Sequence, residues 1–203
     1  MQNFSTKGTE DSSIQLLIDD KKELLSFARE NIHSAVIGDS PPPVKKMSNE
    51  QLLKCGAFVT IKIKGKLRGC IGYIEATREM YETVADAARS AAIRDSRFSP
   101  ISSKELKDIS IEISLLSPFS PISPKEVIPG VHGLWIVNNF KRGLLLPQVA
   151  EERGWDRETF LDNVCIKAGL KPGDWKNKET ELHSFTAVVF SDQDSDFKVD
   201  NST

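Results

Sequence analysis

A chain of 203 residues with 39% hydrophobic and 28% charged content can bury a real core, and it fits one soluble domain or two small bodies. Its 27 Lys and Arg against 29 Asp and Glu leave no basic excess, which argues against a dedicated nucleic-acid binder. The cysteines, Cys55, Cys70 and Cys165, cannot all pair and form no CxxC, so a reducing cytoplasm is expected, without a disulfide framework, a structural metal or another cofactor.

The polar, small-residue-rich ends, 1–13 and 191–203, lack the apolar surface to offset ordering and are expected to be mobile. Residues 14–37 read as a helix with Ile14, Leu17, Ile18, Leu25, Ala28 and Ile32 on one stripe, ended by "GDSPPP". Ser48 to Leu53 reads as a short helical turn capped by Ser48. No apolar run approaches the roughly 20 residues of a membrane span, and the first residues lack the basic-then-apolar order of a signal peptide.

The hairpin "AFVTIKIKGKLRGCIGYI" follows. A three-residue loop, Lys64 to Lys66, pairs Ile63 with Leu67, Ile61 with Gly69 and Val59 with Ile71, gathering the aliphatics on one face. Arg68 and Cys70 then share the opposite face with Thr60 and Lys62, while Leu67 and Ile71 join the core. Thr77 caps a helix striped by Tyr81, Val84, Ala88, Ala91 and Ala92, and Ser102 with Glu105 forms a capping box. "ISIEISLL" alternates as a strand with Glu112 on its polar side. The Pro-rich "SPFSPISPKEVIPG" is the strongest internal boundary. Beyond it lie a hairpin across "NFKR", a helix opened by Pro147, a helix capped by Asp156 and a final strand, "LHSFTAVVF". Strands and helices do not alternate as βαβ units, so the predicted class is α+β: two antiparallel sheets with packed helices.

Chemistry concentrates at "LRGCIG", residues Leu67, Arg68, Gly69, Cys70, Ile71 and Gly72. A guanidinium two residues from a thiol favours the thiolate, and flanking glycines let another group approach. Cys70 and Arg68 are therefore the first catalytic candidates, with Glu112 and His132 as possible partners if the fold brings them together. Asp95 and Arg97 read foremost as a salt-bridged turn ending a helix, and Cys165 as a core residue.

"LRGCIG" is the signature hexapeptide of the AMMECR domain family, and the chain also resembles that family at "GAFVTI", "DSRFSP", "IEISLLSP", "GVHGLWI", "LLLPQVAEERGWD" and "FLDNVCIKAGL". The resemblance spans about residues 14–190 and implies a larger subdomain, 14–118 with 180–190, and a smaller inserted one, 119–179, whose second crossover falls at "KPGDWKNKE". It implies that the hexapeptide faces a cleft between them, and that Asp95 and Arg97 belong to that motif region. It points to Memo-type or radical-SAM proteins as candidate partners and supplies no reaction. Two functions stay open: an enzyme acting through Cys70 and Arg68, or a non-catalytic module binding an unknown ligand, a protein or peptide among the candidates.

Overall fold

Two separate sets of apolar positions build two separate sheets. The computed structural model describes residues 14, 16–43 and 54–195; the expected turn at Ser48–Leu53 lies outside them, as do residues 1–13 and 196–203. The first helix, α1 (Ile18–Ile37), buries Leu24, Leu25, Phe27, Ala28 and Ile32 and stops at Gly38, whose φ of 83° only glycine adopts readily. Ile14, just ahead of the helix, is buried as expected, whereas Leu17 and Ile18, assigned to the same stripe from sequence, are 75% and 40% exposed.

Strands β1 (Gly56–Ile63) and β2 (Lys66–Tyr73) form the hairpin. Its turn is two residues, not three. Lys64 and Gly65 both have positive φ, the requirement of a tight hairpin turn whose twist matches its strands. Ile63 therefore pairs with Lys66 and Lys62 with Leu67. A bulge then absorbs Arg68 and restores Ile61 opposite Gly69 and Val59 opposite Ile71. The bulge moves Leu67 off the core face, leaving it 44% exposed, whereas Ile71 packs on the core as predicted.

Helix α2 (Met80–Ile93) starts three residues after Thr77, and its stripe, Tyr81, Val84, Ala88, Ala91 and Ala92, is buried. Strand β3 (Ile109–Leu116) pairs with β1 and sends Ile109, Ile111, Ile113 and Leu115 into the same core. Both helices pack against this aliphatic side of the sheet.

The smaller body holds β4 (Ser120–Pro121), β5 (Gly133–Asn138), β6 (Lys141–Leu145), α3 (Pro147–Glu152) and α4 (Arg157–Lys167). Pro147 opens α3, and Asp156 accepts the Thr159 N–H to cap α4, both as the sequence indicates. The β5–β6 turn is only Asn139–Phe140, so Lys141 and Arg142 lie in the strand and not in the loop.

The final apolar run is two strands. β7 (Glu181–Phe185) joins the smaller sheet, in the order β4-β7-β5-β6, and β8 (Ala187–Ser191) joins the larger, in the order β2-β1-β3-β8. Residues 181–185 thus belong with the smaller sheet, and the chain recrosses at Thr186, not at "KPGDWKNKE". The start of the C-terminal segment is also anchored. Asp192 pairs with Arg29 and accepts the Ile111 N–H at 3.1 Å, which draws residues 191–194 onto the sheet. Each body has its own hydrophobic cluster, and the molecule is α+β.

Candidate functional site

Because side chains alternate along a strand, the face turned away from α1 and α2 collects the polar residues of the larger sheet. Cys70 lies opposite Thr60, Thr60 opposite Glu112, and Glu112 opposite Ser191, a row across all four strands. The Thr60 hydroxyl donates to the Cys70 sulfur at 3.3 Å, and Lys62 pairs with Glu112 at 2.9 Å. At the hairpin end this face dips into a hollow of about 650 Å³ whose lining includes Lys62, Lys64, Ser110, Glu112 and Asp194.

The two glycines beside the thiol already have neighbours. A Cβ on Gly69 would stand 2.2 Å from the Ala91 carbonyl oxygen, so Gly69 exists to let α2 lie directly on β2. A Cβ on Gly72 would stand 2.2 Å from the Phe58 ring, which lies over it. Packing, rather than access to the sulfur, accounts for both.

Arg68 is not the thiol's cation. Its guanidinium donates to Glu105 at 2.9 and 3.3 Å and to the carbonyls of Ser99 and Pro100 at 2.8 and 3.3 Å, with the side chain only 16% exposed. The same Glu105 carboxylate accepts the Ser102 N–H and hydroxyl, both at 2.8 Å, which completes the capping box. Arg68 and Ser102 together hold the Glu105 carboxyl down at about 2. The sequence marks Glu105 as a capping residue but gives no sign that it also holds the bulge residue.

Asp95 and Arg97 instead reach Cys70. One Asp95 oxygen accepts the Cys70 N–H at 2.8 Å, and Arg97 donates to the Cys70 carbonyl at 3.1 Å. Arg97 also grips Asp95 through two bonds, at 2.9 and 2.7 Å. β2 is the outer strand of its sheet, so this carboxylate–guanidinium pair occupies the main-chain groups that a further strand would use. The Asp95 side chain is 4% exposed, and Arg97, through its side chain, holds that carboxyl well below the usual carboxylate range. Arg97 is held charged first by Asp95 and, more weakly, by the Cys70 side chain.

Glu112 joins the Cys70 face through Thr60, but His132 does not. His132 ends the turn before β5 in the smaller body, where its Nδ1 accepts the Ile128 N–H at 3.1 Å and burial disfavours its charged form.

A second hollow, of about 310 Å³, is lined by Gly72, Tyr73, Ile74, Glu75, Thr77 and Arg78 from the larger body and by Arg142 from the smaller. Arg78 donates to Asp86 at 3.0 Å and stacks on the Tyr73 ring with its guanidinium carbon 4.8 Å from the ring centroid. Sequence reasoning did not single out Arg78 or Arg142. Both sit outside the hexapeptide, and nothing in their spacing reveals that they meet. Among the described residues no helix is long and apolar enough to cross a membrane.

Comparison with known proteins bears on this arrangement. The AMMECR1 family model matches residues 25–190. A protein of Methanothermobacter thermautotrophicus is 46% identical over 142 residues, 66% of this chain and 74% of that one. A protein of Sulfolobus acidocaldarius is 40% identical over 190 residues, 86% of this chain and 82% of that one. The crystal structure of an uncharacterized Pyrococcus horikoshii protein matches with a TM-score of 0.76 at 33% identity, covering 84% of this chain and 90% of that one.

Proposed function

This chain belongs to the AMMECR1 family, and on that footing we propose that it is a binding module that holds a peptide or small polar ligand on the helix-free face of its larger sheet, beside the smaller body, without covalent chemistry at Cys70. The observation that carries this reading is how Cys70 is held. Its N–H and carbonyl are both taken, by Asp95 and Arg97, and its sulfur accepts from Thr60. A thiol becomes a nucleophile through a base within hydrogen-bond reach or through a cation that lowers its pKa. The carboxylate bonded to Cys70 is that of Asp95, through the main chain, and an acid so strongly held ionised by Arg97 is a poor proton acceptor. The row Cys70, Thr60, Glu112 and Ser191 instead offers alternating donors and acceptors on a rigid strand surface, a suitable floor for a polar ligand. The catalytic reading retains one support, the Arg97 guanidinium beside the Cys70 side chain.

The test is an amide-shift screen of isotope-labelled protein against degenerate short peptides, with intact-mass measurement of every hit. The binding reading expects reversible shifts at Thr60, Lys62, Cys70 and Glu112 that persist in Cys70→Ser. A covalent adduct that disappears in Cys70→Ser overturns it in favour of the enzyme.

A further inference from the structure

We infer that the Gly72 end of β2, with Arg142 and Arg78, captures the free carboxylate end of an extended polypeptide added as a further strand. This rests on the binding reading above and names the ligand class and where it enters.

The argument starts from the strand edge. The Cys70 N–H and carbonyl are bonded to Asp95 and Arg97, so they point away from β1. Main-chain direction in a strand repeats every two residues, so Arg68 and Gly72 are the neighbouring outward positions. The Arg68 position is spoiled by the bulge, which breaks the ladder there. Gly72 lies in regular pairing opposite Phe58, and neither its N–H nor its carbonyl has a partner among the described residues beyond its own strand pair. The edge is thus plugged at one position, distorted at the next and open at Gly72.

Charge identifies what fits there. Gly72 shares the 310 Å³ hollow with Arg78 and Arg142. Arg142 is exposed, and its guanidinium has no ion pair or hydrogen bond among the described residues. Arg78 spends one nitrogen on Asp86 and its face on Tyr73, leaving further donors in the fork. Against these two cations the hollow carries one acid, Glu75. A planar anion matches a guanidinium fork, and a backbone edge selects an extended chain; together they select a chain end, because only there does a carboxylate continue directly from main-chain amides.

The experiment titrates the isotope-labelled full chain with a degenerate pentapeptide mixture as the free acid, the same mixture as the amide, and acetate or inorganic phosphate. The free acid is expected to shift the Gly72 and Ile74 amides. The amide should bind about tenfold more weakly, the scale of losing one charge-assisted hydrogen bond. Arg142→Glu, an exposed substitution, should abolish that discrimination while leaving the rest of the spectrum unchanged. Equal binding of acid and amide overturns the inference. So do shifts caused by acetate or phosphate alone that the peptide does not extend to Gly72. Free-acid shifts at Thr60 and Glu112 without Gly72 overturn this inference and leave the broader binding reading standing, whereas no shift at either place overturns both.

Discussion

Ser117 and Thr186 bind each other twice. The Ser117 N–H donates to the Thr186 carbonyl at 3.0 Å, and the Ser117 hydroxyl accepts the Thr186 N–H at 2.9 Å. These residues lie at the two places where the chain passes between its sheets, so the crossovers run side by side as one bonded joint. Phe119 reinforces it, with its ring centroid 5.2 Å from that of Phe185 and 5.9 Å from that of Trp135. Ser117 is 2% exposed, so Ser117→Ala leaves an amide at the joint without its acceptor, a loss of about 1–3 kcal/mol. Hydrogen exchange should accelerate at Thr186 and Phe185 before it does in either core. Unchanged protection there would show that the remaining main-chain bond and the aromatic contacts hold the joint without the hydroxyl.

The two glycines of the hexapeptide should differ in how they tolerate a methyl group. Gly69→Ala drives a Cβ into the backbone of α2, which cannot turn aside, and should cost about 3 kcal/mol or more. Gly72→Ala meets mainly a ring, which can rotate, although the Ala57 carbonyl oxygen stands 2.7 Å from the new carbon. It should cost less, and Phe58→Ala should partly rescue it while doing nothing for Gly69→Ala. Denaturant midpoints of the singles and doubles decide the matter.

Acid should weaken the hexapeptide's anchorage in a defined window. The Glu105 carboxyl is depressed from 4.5 to about 2, so its stabilising contribution is complete above about 4.5 and is lost as pH falls toward 2. Asp95 is depressed in the same direction from 3.8, chiefly by Arg97, and its loss extends lower still. Arg68→Ala removes the largest cause of the Glu105 shift, and the stability–pH curve of that variant should be flatter between 4.5 and 2 than that of the parent. Parallel curves would show that Arg68 does not control this acid limb.

Alkylation should sort the three thiols by burial. Burial pushes Cys55 up to about 12 and Cys165 up to about 11, and both are fully covered, whereas Cys70 is half-buried. Iodoacetamide at neutral pH should label Cys70 first, and Arg68→Ala should not change that order, because Arg68 is bound to Glu105 and not to the thiol. Labelling of Cys55 or Cys165 before Cys70, read by peptide mass, would contradict the burial pattern.

Much of the fold was legible because alternation is a strong signal. Val59 opposite Ile71 and Ile61 opposite Gly69 follow from keeping aliphatics together, and both pairs are present. The turn that delivers them was not legible. A three-residue loop and a two-residue loop followed by a bulge reach the same register beyond Arg68; they differ in the backbone of Lys64 and Gly65 and in the partners of Ile63 and Leu67. The break at Thr186 carries no glycine or proline, so nothing local announces that one apolar run serves two sheets. At the candidate site, sequence proximity suggested that Arg68 serves Cys70. The partner of Arg68 lies 37 residues on, at Glu105, and the groups that reach Cys70 come from 25 and 27 residues on, at Asp95 and Arg97. Such partnerships are set by where α2 ends, which no spacing within the hexapeptide records.

The split of the last apolar run also has a bearing on synthesis. β7 sits between β4 and β5 in the smaller sheet, and β8 closes an edge of the larger one. A nascent chain emerging from the ribosome can assemble β1, β2, β3 and both helices of the larger body early, because their partners are near in sequence. The smaller sheet must wait with β4 separated from the β5–β6 hairpin until residues 181–185 emerge, and residues 187–191 then finish the larger sheet within a few further additions. A translation pause or premature stop before residue 181 therefore leaves the smaller sheet half-built and the larger one without its edge strand, and the same short segment brings both halves of the molecule to completion almost together.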